Sequence, residues 1–159
     1  MSDTKTRVRP APGYETDFYA WTQDQAARLR ELRPNSLDLE NVAEEIDSVG
    51  RSERHQLRNR LRVVLMHLLK WHFQPAKRKY GWRVTINYQR SMIRSILKDS
   101  PSLRRFPGDV LEDCYKEARL KAIEETDLAP DIFPTSCPYS LAETLNESFF
   151  AGPLEPDIR

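Results

Sequence analysis

Between Gly50 and Pro75 the chain reads GRSERHQLRNRLRVVLMHLLKWHFQP, and Leu57, Leu61, Val64, Leu65, Leu68 and Leu69 recur there at steps of three and four. That is the spacing of one buried helix face. No other stretch carries so many large aliphatic residues. Pro75 sets the end of the helix, because proline lacks a backbone donor and disfavours a helical residue before it. The spacing predicts a long central helix over about 52–74, at the heart of a single all-α bundle of five to seven helices.

A chain of 159 residues fits one domain with a real core. Five glycines and few valine or threonine runs argue against a β fold. There is no run of 18 apolar residues, so no membrane span is expected. The start, MSDTKTRVRPAPG, has no apolar stretch of the kind a secretory signal needs. The expected organisation is a disordered tail over 1–13, one helical domain over 14–150 and a frayed tail over 151–159. Cys114 and Cys137 lack metal-site spacing and read as free thiols in a reducing cytoplasm.

Helix signals follow in order along the chain. Thr16 or Asp17 can cap a first helix with Phe18, Trp21, Leu29 and Leu32 near one face, ended by Pro34. Ser36 or Asp38 can cap a second, with Leu39, Val42, Ile46 and Val49 as its apolar face. Gly50 and Ser52 suggest a break before the central stripe. Yet Leu39 to Leu57 spans 18 residues, five full turns, so the two stripes stay in phase. The phase favours one continuous helix, in which Gly50 would let another helix cross closely. After Pro75, AKRKYGW reads as a loop, followed by a helix over about 83–99. Ile86, Ile93, Ile96 and Leu97 mark its core face, with Arg83, Arg90, Arg94 and Lys98 elsewhere. Ser100-Pro101 opens a short helix that Pro107-Gly108 breaks. Asp109 and Glu112 have capping-box spacing for a longer helix carrying Leu111, Cys114, Tyr115, Ala118 and Ala122 to about Thr126. Pro130, Pro134 and Pro138 punctuate a connector. Ser140 and Glu143 form a second capping box, for a last helix with Leu141, Leu145 and Phe149.

The stretches YETDFYAWT, LDLENVAEEIDSVGRSER, MHLLKWHFQP, GWRVTI and SPSLRRF, in that order, resemble the bacterial domain-of-unknown-function 29 family, from about Tyr14 to Phe149. The resemblance implies an all-α fold and no established activity. The recurrent polar and aromatic positions it implies fall on Trp21, Glu44, Glu45, His67, Lys70, Trp71, Gln74, Trp82, Thr85 and Arg90. Where many relatives carry a Ser-Trp pair, this chain has Gly81-Trp82.

Charge is segregated. Residues 1–50 hold 6 Lys+Arg against 10 Asp+Glu, residues 51–105 hold 15 against 2, and residues 106–159 hold 4 against 12; the chain nets +1. Either the acidic flanks fold against the basic middle, or the middle presents a surface to nucleic acid or an acidic protein.

Three constellations carry chemistry. His67, Lys70, Trp71 and Gln74 share one helix face at i, i+3, i+4 and i+7 and could bind an anion or polar ligand; alternatively the indole packs and lysine snorkels to water. Glu44, Glu45 and His67 are the local candidates for a metal or acid–base site. Glu44 and His67 share an ion only if the chain turns back at Gly50, since 23 residues of continuous helix separate them by about 35 Å. An inward carboxylate there needs a partner, and Arg90 or Arg94 is expected to pair with Glu44 or Glu45. The basic, aromatic segment Lys77, Arg78, Lys79, Tyr80, Trp82 and Arg83, with Trp71 and Phe73 before it, could hold a single-stranded nucleic acid by phosphate contacts and stacking. His55 reads as solvated and His72 as a satisfied core histidine. No nucleophile triad or phosphate loop stands out. The leading expectation is a non-catalytic cytoplasmic binding or adaptor module without a cofactor. It would act through the basic middle or a polar helix face on a protein or acidic partner. A small Glu/His enzyme and a nucleic-acid binder are the alternatives.

Overall fold

The expected central helix forms, and it begins earlier than 52. In the computed structural model, which describes residues 11–32 and 38–152, helix α2 runs unbroken from Leu39 to Phe73, 35 residues, or about 52 Å. The other helices are α1 (Phe18–Glu31), α3 (Tyr80–Asp99), α4 (Phe106–Thr126) and α5 (Leu141–Leu145), with single 3-10 turns at Pro75–Lys77, Pro101–Leu103 and Pro130–Ile132. The architecture is all-α, and no strand occurs among the described residues.

Continuity through Gly50 follows from how α1 packs. Asp38 caps α2 by accepting from the Asn41 amide, and Asp17 caps α1 by accepting from that of Ala20. The two helices run antiparallel: Thr22 lies against Gly50, while Arg30 reaches Glu40 and Asp47. Contact is made by small residues, Thr22 and Ala26 on α1 and Ala43 and Gly50 on α2, all buried. This shifts the expected face by one position. Val42 and Val49, expected inside, are 44% and 47% exposed, and Leu32 is 57% exposed. A bulky stripe would hold the helices apart. The chain uses a glycine and alanines, and the backbones close together.

The C-terminal half of α2 carries the core. Leu57, Leu61, Val64, Leu65, Leu68 and Leu69 are all buried, against Ile86, Ile93 and Ile96 of α3 and Val110, Cys114, Tyr115, Ala118 and Ala122 of α4. Arg60 meets Gln89 and Lys70 sits over Trp82, so α3 is antiparallel to α2. Arg54 meets Phe106, Arg62 meets Glu117 and Lys70 meets Glu125, so α4 runs parallel to it. α3 starts at Tyr80, which makes Gly81 and Trp82 helical where a loop was expected. Pro107-Gly108 opens α4 instead of breaking a helix, since a proline in the first turn removes a donor that has no partner there. The expected box at Asp109 is absent, and Glu112 instead accepts from the Cys137 amide. The Ser140–Glu143 box forms as expected, but α5 is five residues long and Phe149 lies beyond it.

Most of both expected tails, residues 1–10 and 153–159, lies outside the described residues. The carbonyl of Gly13 already accepts from the Thr16 and Asp17 amides, and Ala151 is buried.

Candidate functional site

The carboxylate–arginine site expected around Glu44, Glu45, His67 and Arg90 does not assemble. Because α2 is continuous, Glu44 and His67 lie about 35 Å apart on one helix. Glu44 pairs with Arg51 at 2.6 Å and Arg30 at 3.5 Å, and Glu45 is exposed. Arg94 pairs with Glu147. Among the described residues no group of three or more His, Cys, Asp or Glu side chains is placed to hold a metal ion.

Arg90, expected off the core face, is fully buried. It sits at i+4 from Ile86 and three residues before Ile93, so it shares their stripe. Its Nε donates to the Thr144 carbonyl at 2.8 Å, Nη2 to those of Phe149 at 2.9 Å and Glu143 at 3.3 Å, and Nη1 to Asn87 Oδ1 at 3.2 Å. Burial pushes its pKa down to about 10, so it is charged at neutral pH. Two of those carbonyls belong to α5, whose last turn leaves carbonyls without helical partners. Arg90 therefore ties the C-terminal segment to α3.

The His67, Lys70, Trp71 and Gln74 face is occupied from within. His67 Nδ1 donates to the Val63 carbonyl at 2.9 Å, and burial lowers its pKa. Lys70 Nζ donates to Glu125 at 2.8 Å and lies 4.9 Å from the centre of the Trp82 ring. That ammonium holds the Glu125 carboxyl below the usual carboxylate range. Trp71 is buried between Phe150 and the Arg78 guanidinium, and Gln74 is buried too. Arg78 Nε also donates to the Trp71 carbonyl at 2.9 Å, near the end of α2.

The basic–aromatic segment divides in two. Arg78 and Trp82 are absorbed in that packing, and Arg83 stacks on Phe150. Lys77 and Lys79 are exposed, and Tyr80 is 81% exposed. Since α3 starts at Tyr80, this tyrosine falls in line with Val84 and Tyr88 at i, i+4 and i+8. Val84 is 49% and Tyr88 56% exposed. The three lie opposite the Ile86–Ile93 face, where a surface helix ordinarily carries charge. Ser91 and Ser95 continue the stripe, and Lys98 closes it. Lys77, Lys79, Arg83 and Lys98 have no carboxylate within ion-pair distance among the described residues. Reading Tyr80 as loop hid this stripe from the sequence. The signal was there: Tyr80, Val84 and Tyr88 keep helical spacing directly out of phase with the isoleucines.

Apart from His55, which is exposed, the remaining histidine and the cysteines are turned inward. His72 Nδ1 lies 3.2 Å from the Tyr139 hydroxyl. Burial raises the Tyr139 pKa and pushes the Cys114 thiol up to about 11. Cys114 and Cys137 are both free thiols.

The family model described as a domain of unknown function, DUF29, matches residues 14–150. Among solved structures, an alpha-helical protein of unknown function from Rhodospirillum rubrum superposes with a TM-score of 0.70 at 24% identity, over 88% of this chain and 93% of that one. No curated protein matches the chain. The similarity to the solved structure carries the fold alone.

Proposed function

Since the chain belongs to the DUF29 family, a family that supplies a fold and no activity, we propose from its own surface that it is a non-catalytic binding module of the cytoplasm, and that it docks an acidic protein partner on the outer face of α3. The observation that carries this reading is the exposed Tyr80–Val84–Tyr88 stripe beside cations that meet no carboxylate among the described residues. Tyrosine suits an interface because it buries a large, stiff apolar body and keeps a polar tip. Lys77, Lys79, Arg83 and Lys98 would steer acidic groups to the rim. Supporting the non-catalytic reading, His67, His72, Lys70 and Arg90 are all engaged in internal contacts. No helix among the described residues is long and apolar enough to cross a membrane.

The test is site-specific photocrosslinking from position 84 in bacterial cells. The expected adduct is nuclease-resistant and contains a protein crosslinked through an acidic segment. That protein, purified, should bind the wild-type chain and lose about tenfold or more in affinity to Tyr80→Ser/Tyr88→Ser, as for truncated interface anchors. Adducts made of nucleic acid would overturn the reading in favour of phosphate contacts by the same cations. Equal affinity for the double variant would place the interface elsewhere.

A further inference from the structure

Away from α3, the side of α2 facing the start of α4 holds a second basic feature. Arg51, Arg54, His55 and Arg58 fall at i, i+3, i+4 and i+7 and so share one face of α2. Opposite them, Phe106 and Val110 stand one turn apart on α4. Together these six residues line a cleft of about 240 Å³. Among the described residues no carboxylate lines it.

The arginines keep an excess of positive charge. Glu117 accepts from both Arg58 and Arg62, each at 3.1 Å. Glu44 is likewise shared between Arg51 and Arg30. Glu117 thus answers two guanidinium groups, whereas Arg30 also meets Glu40 and Asp47 and leaves Glu44 mainly to Arg51. The two carboxylates hold Arg51 and Arg58 in place, and Arg58, which shares Glu117 with Arg62, keeps part of its charge unanswered. Arg54, between the two, has no carboxylate within ion-pair distance among the described residues. Its Cζ lies 4.5 Å from the centre of the Phe106 ring. A guanidinium near a ring face is held by cation–π attraction while its N–H donors remain available. Three positioned guanidinium groups around one small apolar-floored space are a match for the tetrahedral oxygens of a phosphate, which arginine binds through paired, charge-assisted hydrogen bonds.

We infer that the Arg51–Arg54–Arg58 cleft binds a phosphate-bearing small molecule. The cleft's volume falls just below the usual range for ligand pockets, about 300–1,000 Å³. It therefore accommodates one or two phosphoryl groups and little more. Phe106 and Val110 form the wall that the uncharged remainder of such a ligand would rest on. This site lies on α2 and α4, and it stands whether or not the outer face of α3 docks a protein.

The experiment is calorimetric titration of the full chain at low ionic strength with inorganic pyrophosphate, and in parallel with inorganic phosphate and a random-sequence single-stranded DNA 12-mer. Pyrophosphate is expected to bind at one site per chain. Arg54→Gln should weaken it about tenfold or more, the loss expected for a charge-assisted bond pair, and Arg54→Lys should fall between the two. Phe106→Leu, which keeps the wall and removes the ring, should weaken binding with Arg54 still present. Arg94→Gln/Lys98→Gln, on α3, should leave affinity unchanged. Thermal melts of each variant separate loss of binding from loss of fold. Failure of pyrophosphate to bind, or equal weakening by the α3 double variant, would overturn the inference. Tighter binding of the DNA through the same arginines would overturn it in favour of a nucleic-acid surface.

Discussion

Arg90→Met keeps most of the buried volume and removes every donor, leaving the carbonyls of Thr144 and Phe149 facing an apolar side chain. A buried group that loses its partner costs about 1–3 kcal/mol, so the variant should lose about 2–5 kcal/mol in urea denaturation. Buried charges can be exchanged for apolar residues at little cost when both partners go. Here the acceptors are backbone and stay behind. A melting curve that matches the wild type would show that the clamp contributes nothing. The histidines make a pH prediction. Burial lowers the pKa of His67 and of His72 from the ordinary 6.5. A base with a lowered folded pKa binds fewer protons folded than unfolded. Its contribution is then fully present above the unfolded value and is lost as pH falls through 6.5 toward the folded one. Stability should therefore decline on acidification below about pH 6.5, and His67→Gln/His72→Gln should flatten that decline. Glu125, whose pKa is lowered by Lys70, works in a different window: its contribution holds above the ordinary carboxylate value of 4.5 and is lost only as pH drops below it. A slope between pH 7 and 5, the range where histidine titrates, that is unchanged in the double variant would exclude the histidines as its source.

At the scale of the element, Gly50 decides how α1 and α2 meet. A Cβ there would stand 2.5 Å from Thr22 Oγ1 and 2.8 Å from Gln23 Nε2. Alanine ordinarily gains a helix about 1 kcal/mol over glycine. At this position overpacking, about 1–3 kcal/mol, outweighs that gain, so Gly50→Ala should lower the melting temperature. In a Thr22→Ala background the same change should cost less, because the nearest atom is gone. A Gly50→Ala protein more stable than the wild type would mean that the crossing is looser than described. The same contact explains what the sequence could and could not reveal about α2. Large aliphatic residues announce themselves, so the stripe from Leu57 to Leu69 was legible. Between Leu39 and Gly50 the buried positions are Ala43 and Gly50, which carry little hydrophobic signal, and the visible valines drew the face one residue out of register. Arg90 was missed for a related reason. Its charge argued for solvent, while its spacing from Ile86 and Ile93 argued for the core, and the spacing prevails because three backbone carbonyls converge on it.

For the whole molecule, the three-block charge pattern resolves in part into internal pairs: among the described residues Arg51, Arg58, Arg62, Lys70 and Arg94 of the basic middle meet a carboxylate. The acidic C-terminal block folds onto the basic middle through Arg58 and Arg62 with Glu117, Lys70 with Glu125, and Arg94 with Glu147. The N-terminal block pairs mainly within itself, Arg28 with Asp24 and Arg30 with Glu40 and Asp47. The sequence showed that pairing was available. Which carboxylate meets which arginine depends on α4 running parallel to α2, and no local pattern encodes that. Glu44 meets Arg51 and Arg30 instead of Arg90 or Arg94 for a different reason: α2 is unbroken, which keeps Glu44 beside α1. The length of α2 has a mechanical consequence. Its second half is clasped by α3 and α4, whereas its first half meets mainly α1, and α1 is fastened to the body by the Asp17 carboxylate, which accepts from the Ser102 amide and hydroxyl. Amides of residues 39–49 should exchange with solvent through a local opening of lower free energy than those of 57–69, a difference that native-state hydrogen exchange reads directly. Asp17→Asn should speed exchange in the first group and leave the second alone, while uniform acceleration would mean that the rod unfolds as one piece. In the first case the chain is a rigid hub carrying a lever, with one unbroken helix as its shaft. Strain applied at Leu39 would then be taken up by opening of the first half before it reached the arginines one crossing further along.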